Sequence, residues 1–199
     1  AMGWKMIELS GERTAGAQPL LSLRLARWGR PSRLQEVGSG TLLTSGERVE
    51  RRSGVLTEWY VNRPEGLEHG FDLPVPPAGD GPVEFHLQSD RPARQLAPDR
   101  IAFGHGEGVL LYQHLKVWDA SGRMLPASMR VETPQRVVIR IDDQGARYPV
   151  TVDPLLQRTA DIVRSSAQSG AEFGIRLANA GDVNNDGVDD LVVGAFRWD

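Results

Sequence analysis

The densest set of oxygen donors in the chain lies near its C-terminal end, in Asp182-Val183-Asn184-Asn185-Asp186-Gly187-Val188-Asp189-Asp190. Counted from Asp182, side-chain oxygens fall at loop positions 1, 3, 5 and 9, on Asp182, Asn184, Asp186 and Asp190, and the carbonyl of Val188 adds another. A hard cation that takes six to eight oxygens suits such a loop, and calcium suits it better than magnesium, whose smaller octahedral shell tolerates fewer protein ligands. Gly187 permits the sharp bend that turns these groups inward. An EF-hand would need Glu at position 12 and helices on both sides, but position 12 is Val193, inside a strand-like run. The ordinary alternative is an Asn/Asp/Gly turn without metal. Crowded carboxylates repel unless a cation compensates, so the expectation is Ca2+ at Asp182, Asn184, Asp186, Val188 and Asp190.

A second constellation could do different chemistry. Glu58, Glu65, Glu68 and His69 gather around Trp59 and Tyr60. Two carboxylates beside aromatic rings are the parts of a glycosidase or a sugar-binding groove. The plainer reading puts Glu58 on the solvent face of a strand and Glu65 and Glu68 in a turn, and it is the one expected here. His86 points opposite to Phe85 and Leu87 and is expected to be exposed, while His105 sits in a glycine-rich turn and His114 between two strands. No pair of histidines has metal-ligand spacing, and there is no Gly-x-Ser-x-Gly elbow, cysteine nucleophile or Walker loop. Gly104-His105-Gly106-Glu107-Gly108 precedes a strand and so lacks the helix N-terminus that phosphate binding uses. No catalytic residues are assigned. Trp28, Trp118 and Phe103 are expected in the core, with a stacking platform as the alternative.

The elements that must position these residues are strands. Leu21 to Ala26, Val83 to Leu87 and Arg136 to Ile141 alternate apolar and polar residues, each with one face fit for a core. Further strands are expected at Thr41 to Leu43, Val49 to Arg51, Leu56 to Val61, Val109 to Tyr112, Leu115 to Asp119, Ser128 to Glu132 and Tyr148 to Val152. No window carries a capped 3.6-residue stripe. The proline-rich stretch Leu73 to Gly79 lacks donors for a ladder and is expected in an exposed connection. The fold class is therefore all-β: an extension over 1–19, a β-sandwich-like domain over 20–154, a linker over 155–171 and a hairpin over 172–199.

Composition removes several function classes. A chain of 199 residues that is 40% apolar can bury one substantial core. With 23 basic and 26 acidic residues spread along it, there is no basic stripe for nucleic acid. No apolar run approaches the roughly 18 residues needed to cross a bilayer as a helix. The absence of cysteine decides nothing about compartment in a domain of this size. Ala1-Met2-Gly3 reads as a tag remnant, so an export signal is expected to belong to the parent protein, and the C-terminus is expected to be cut as well.

The segment Phe173-Gly174 to Gly194-Ala195-Phe196, with its acidic loop, resembles the FG-GAP repeat of integrin α-subunit propellers and of bacterial surface proteins; Phe196 replaces the final proline of the family's pattern. The resemblance covers Glu172 to Phe196. It implies a blade of a β-propeller, with calcium in the loop between two strands and Asp182, Asn184, Asp186 and Asp190 as side-chain ligands. One repeat supplies only part of a blade, so the remaining blades would belong to the parent protein. Asn62 to Phe71 and Ala146 to Pro154 likewise resemble the β-rich region that precedes such repeats in large bacterial exported proteins. Together these imply a non-catalytic adhesion or scaffolding module at a bacterial cell surface or outside the cell, with a protein or carbohydrate surface ligand. The alternative is an accessory or catalytic region of an extracellular carbohydrate-active protein.

Overall fold

Alternation along Val83-Glu84-Phe85-His86-Leu87 does what period-2 geometry requires: Val83, Phe85 and Leu87 are sealed from solvent on one face. That strand belongs to a computed structural model describing residues 5–6, 21–105, 109–158, 172–181, 183 and 190–195. Sixteen strands and no helix are described: β1 (Lys5–Met6), β2 (Leu21–Arg30), β3 (Arg33–Glu36), β4 (Thr41–Ser45), β5 (Arg48–Ser53), β6 (Leu56–Arg63), β7 (Gly66–Leu73), β8 (Val83–Ser89), β9 (Ala93–Ala97), β10 (Arg100–Phe103), β11 (Leu110–Asp119), β12 (Ala127–Thr133), β13 (Arg136–Ile141), β14 (Val150–Arg158), β15 (Phe173–Gly181) and β16 (Asp190–Ala195).

The chain divides into two units, Ala1–Thr159 and Ala160–Asp199. The first holds two antiparallel sheets. One runs β1-β2-β8-β13-β12, with β3 also on β2, and the other runs β4-β5-β6-β7-β14-β11-β10-β9. They pack face to face around one core, where Phe71 of β7 stacks on Phe85 of β8 with ring centroids 4.8 Å apart. Gln95 of edge strand β9 links the sheets on one side. Its amide donates to the Met129 carbonyl at 3.2 Å and accepts from the Val131 N–H at 2.8 Å, so one side chain stands in for a ladder rung. In the second unit β15 and β16 form an antiparallel pair.

Strands β1, β3, β9 and β10 were not expected, and three further departures from the sequence reading bear on the site. Val109 to Tyr112 and Leu115 to Asp119 are one strand, β11, interrupted by a bulge at which His114 takes a φ of 56°. Leu155 to Arg158, expected as linker, are strand, and β14 passes through Pro154. Both differences have one cause. Proline cannot donate to a ladder, and the β11 register skips between Gln113↔Leu155 and Lys116↔Asp153, so the bulge lies opposite Pro154. The third is β7, which turns Glu68 from a presumed turn residue into a strand residue and carries His69 as well. The proline-rich connection after Leu73 is largely exposed, as expected.

Candidate functional site

Strand alternation splits the constellation around Trp59. In β6, Leu56, Glu58 and Tyr60 face the core, while Thr57, Trp59 and Val61 face outward; in β7, His69 faces the core and Glu68, Gly70 and Asp72 face outward. Glu65 stays in the exposed turn between them.

The inward group corrects the expectation that Glu58 is solvated: it is 2% exposed. Burial of a carboxylate is tolerated only with partners, and three donors surround it. Arg51 Nε lies 2.9 Å away, the Tyr60 hydroxyl 2.9 Å and His69 Nε2 3.1 Å. An ionised carboxylate only accepts, so His69 Nε2 carries the proton, and Nδ1 accepts from the Tyr112 hydroxyl at 3.0 Å. Tyr112 sits on β11, and its hydroxyl reaches across β14 to do this. Burial pushes the Glu58 carboxyl up, but the hydrogen bond from His69 and the charge and hydrogen bond of Arg51 outweigh it and hold the group below the usual glutamate range. Burial, and after it the Glu58 charge, pushes both tyrosine hydroxyls well above theirs, so they remain donors. Every member has a partner, and none lines the groove over Trp59 or the grooves beside Arg30 and Trp28. A general acid or base must reach a substrate, and these groups reach one another.

The outward group lines an open groove of about 670 Å³ across the outer face of the larger sheet. Its floor is the Trp59 indole, which crosses the sheet over Gly70: a Cβ at Gly70 would lie 2.0 Å from Trp59 Cζ2 and 2.2 Å from Cε2. Only glycine leaves room there. The Arg48 guanidinium covers the indole at 4.4 Å from its ring centroid, held by Glu50 at 2.8 Å and Asp72 at 2.9 Å. Trp118, Thr151, Glu68 and Asp153 form the far side. Burial, then repulsion from Glu68, pushes the Asp153 carboxyl up to about 6. The Trp59 indole N–H is buried without an acceptor.

Other expectations resolve unevenly. His86 does point away from Phe85 and Leu87, but it is 7% exposed rather than solvated, with Nε2 2.9 Å from Glu84. His105 and His114 are exposed. Trp28 and Phe103 are core residues, whereas Trp118 is half-buried in the groove. Among the described residues no cluster of three or more His, Asp or Glu side chains could hold a metal. The expected calcium ligands Asp182, Asn184, Asp186 and Val188 lie outside the described residues, as does the side chain of Asp190; the Gly181↔Asp190 pair closes the β15–β16 ladder around their loop. Sequence reasoning missed Asp153, Asp72 and Arg48. The signal that would have found them is alternation in β7 and β14, which places Asp72, Thr151 and Asp153 on the face of Trp59. No family model, curated protein or solved structure matches the chain, so its residues and their geometry are what speak for its function.

Proposed function

We propose that this chain is a non-catalytic adhesion or scaffolding module of an exported or cell-surface protein, carrying a calcium-stabilised hairpin of FG-GAP type. The observation that supports it best is the fate of the reactive groups. Glu58, His69 and Tyr112, the set a catalyst would expose, are sealed among their own partners. The outward residues form an open groove suited to surface contact. The hairpin reading rests on the spacing of Asp182, Asn184, Asp186 and Asp190.

Calorimetric titration of the 199-residue chain with calcium tests it. Binding in the range of extracellular modules, about 10⁻⁴ to 10⁻³ M, is expected, with loss in Asp186→Ala. Silence at millimolar calcium with the hairpin ordered would reduce the loop to an ordinary turn. The carbohydrate-active reading draws on one observation of its own: Trp59, Trp118, Glu68 and Asp153 share a groove, and Asp153 has the raised carboxyl of a general acid. Release of reducing ends from soluble polysaccharides by the chain would favour it over the module.

A further inference from the structure

Two polar groups on the outer face of the larger sheet are left without partners among the described residues, and both belong to residues that line the groove. The Trp59 indole N–H is buried with no acceptor, although Trp59 is only 4% exposed. Its nitrogen is bonded to Cε2, one of the atoms that would meet a Cβ at Gly70, so the N–H lies over β7. The β7–β14 register runs Phe71↔Val152, and the next position along sets Asp153 beside Gly70. The indole therefore extends from β6 toward Asp153, whose carboxylate has no hydrogen-bond or ion-pair partner among the described residues. Carboxylates elsewhere in the groove are occupied: Glu68 holds Arg63 at 3.1 Å, and Asp72 holds Arg48 and accepts from Thr151 at 2.9 Å.

Buried polar groups in folded proteins are paired, so an unpaired buried donor that shares a groove with an unpaired carboxylate calls for a partner that can serve both. The chemistry narrows what fits. The indole N–H needs an acceptor, and the carboxylate needs a donor. An ammonium group cannot accept, and an anion is repelled by the carboxylate. A hydroxyl does both. The surroundings add flat apolar surface in the Trp59 and Trp118 rings, which suits the C–H face of a sugar.

We propose that this groove is a carbohydrate site, in which one sugar hydroxyl bridges the Trp59 indole N–H and the Asp153 carboxylate while the ring packs against the tryptophans. Arg48 is its movable cover. The guanidinium lies where the sugar ring would stack, its side chain is 33% exposed, and it rests on two ion pairs at the protein surface. Such pairs contribute little net stability, so a ligand can lift the side chain away. This assignment names a partner for the adhesion-module reading and rests on it.

The test uses the full chain, labelled with nitrogen-15, and the methyl glycosides of glucose, galactose, mannose and N-acetylglucosamine. Five tryptophans give five indole N–H signals, and Trp59→Phe identifies the relevant one. At least one glycoside should shift the Trp59 signal saturably at millimolar concentration. Asp153→Asn should weaken that binding about tenfold, as expected for loss of a charge-assisted hydrogen bond. Arg48→Ala, which uncovers the indole, should tighten it several-fold. The proposal is overturned if no glycoside moves the signal, leaving a bound water only, if n-butylammonium moves it instead, or if Arg48→Ala binds no more tightly. Because the calcium loop is separate in sequence, a silent groove with intact calcium binding sinks the sugar site alone. Sugar binding without calcium binding sinks the hairpin reading alone.

Discussion

Replacing Asp153 by Asn should make the protein more stable at neutral pH and leave it unchanged in acid. The folded carboxyl titrates at about 6 against an ordinary value of 3.8, because burial and the neighbouring Glu68 disfavour its charge. The fold therefore binds this proton more tightly than the unfolded chain does. Stability is highest below the unfolded value, declines as pH rises through the interval up to about 6, and is lowest above it. A shift of roughly two units corresponds to a ceiling of about 3 kcal/mol. The side chain is only half-buried, so water and salt screen much of that, and about 1 kcal/mol is the expected cost of the charge. Asparagine keeps the shape and removes the charge. Urea unfolding at about pH 7.5 should show Asp153→Asn gaining about 1 kcal/mol, and at about pH 4 a difference near zero. A variant less stable at neutral pH, or equally shifted at both, would mean that Asp153 is not a strained charge. The same substitution should cost sugar binding, so stability and ligand affinity are expected to move in opposite directions at one residue.

Gly70→Ala would place a Cβ 2.0 Å from the Trp59 ring, and the indole must leave the groove floor; a loss of about 1 to 3 kcal/mol is expected, with a red shift in tryptophan emission. Unchanged emission would show that the ring does not lie where it is described. Glu58→Ala should cost about 3 to 5 kcal/mol, since it strands the Arg51 charge. Tyr112→Phe, which only removes the donor to His69, should cost about 1 to 3 kcal/mol. Equal losses in the two denaturation curves would contradict the hierarchy of charge over neutral hydrogen bond. The Glu58 carboxyl is held below its ordinary value, so its contribution is present above the ordinary glutamate range and drains away as pH falls through the folded value. Thermal melts in acid should show a shallower fall in Glu58→Gln than in the unaltered chain.

Where one face of a strand is uniformly apolar, as at Val83, Phe85 and Leu87 or along Arg136 to Ile141, the strand and its inward side were legible from alternation alone. β7 was not. Its inward positions hold His69 as well as Leu67, Phe71 and Leu73, with glycines at 66 and 70, and a histidine reads as solvated unless its partners are known. Those partners, Glu58 on β6 and Tyr112 on β11, come from distant parts of the chain, so the burial of His69 and Glu58 is a property of pairing that no local window contains. The same limit hid the passage of β14 through Pro154, which depends on a bulge in another strand. The groove was partly legible. Trp59 and Glu58 are adjacent and must lie on opposite faces of any strand, which was enough to divide the aromatic from the first carboxylate. The acceptor Asp153 lay beside the proline where the domain was expected to end.

The place of β14 has a bearing on synthesis. It is the last strand of the first unit, yet it lies in the middle of the larger sheet, between β7 and β11. The smaller sheet has all its described strands once Ile141 has been made, but until Arg158 follows, the larger one exists as two separate ribbons, β4 to β7 and β9 to β11, with the edges of β7 and β11 open. Residues 150–158 act as a keystone. A chain interrupted before them would leave not a slightly shorter domain but two half-sheets whose exposed edges invite pairing with other chains, so premature release from the ribosome should yield aggregates rather than a functional remnant.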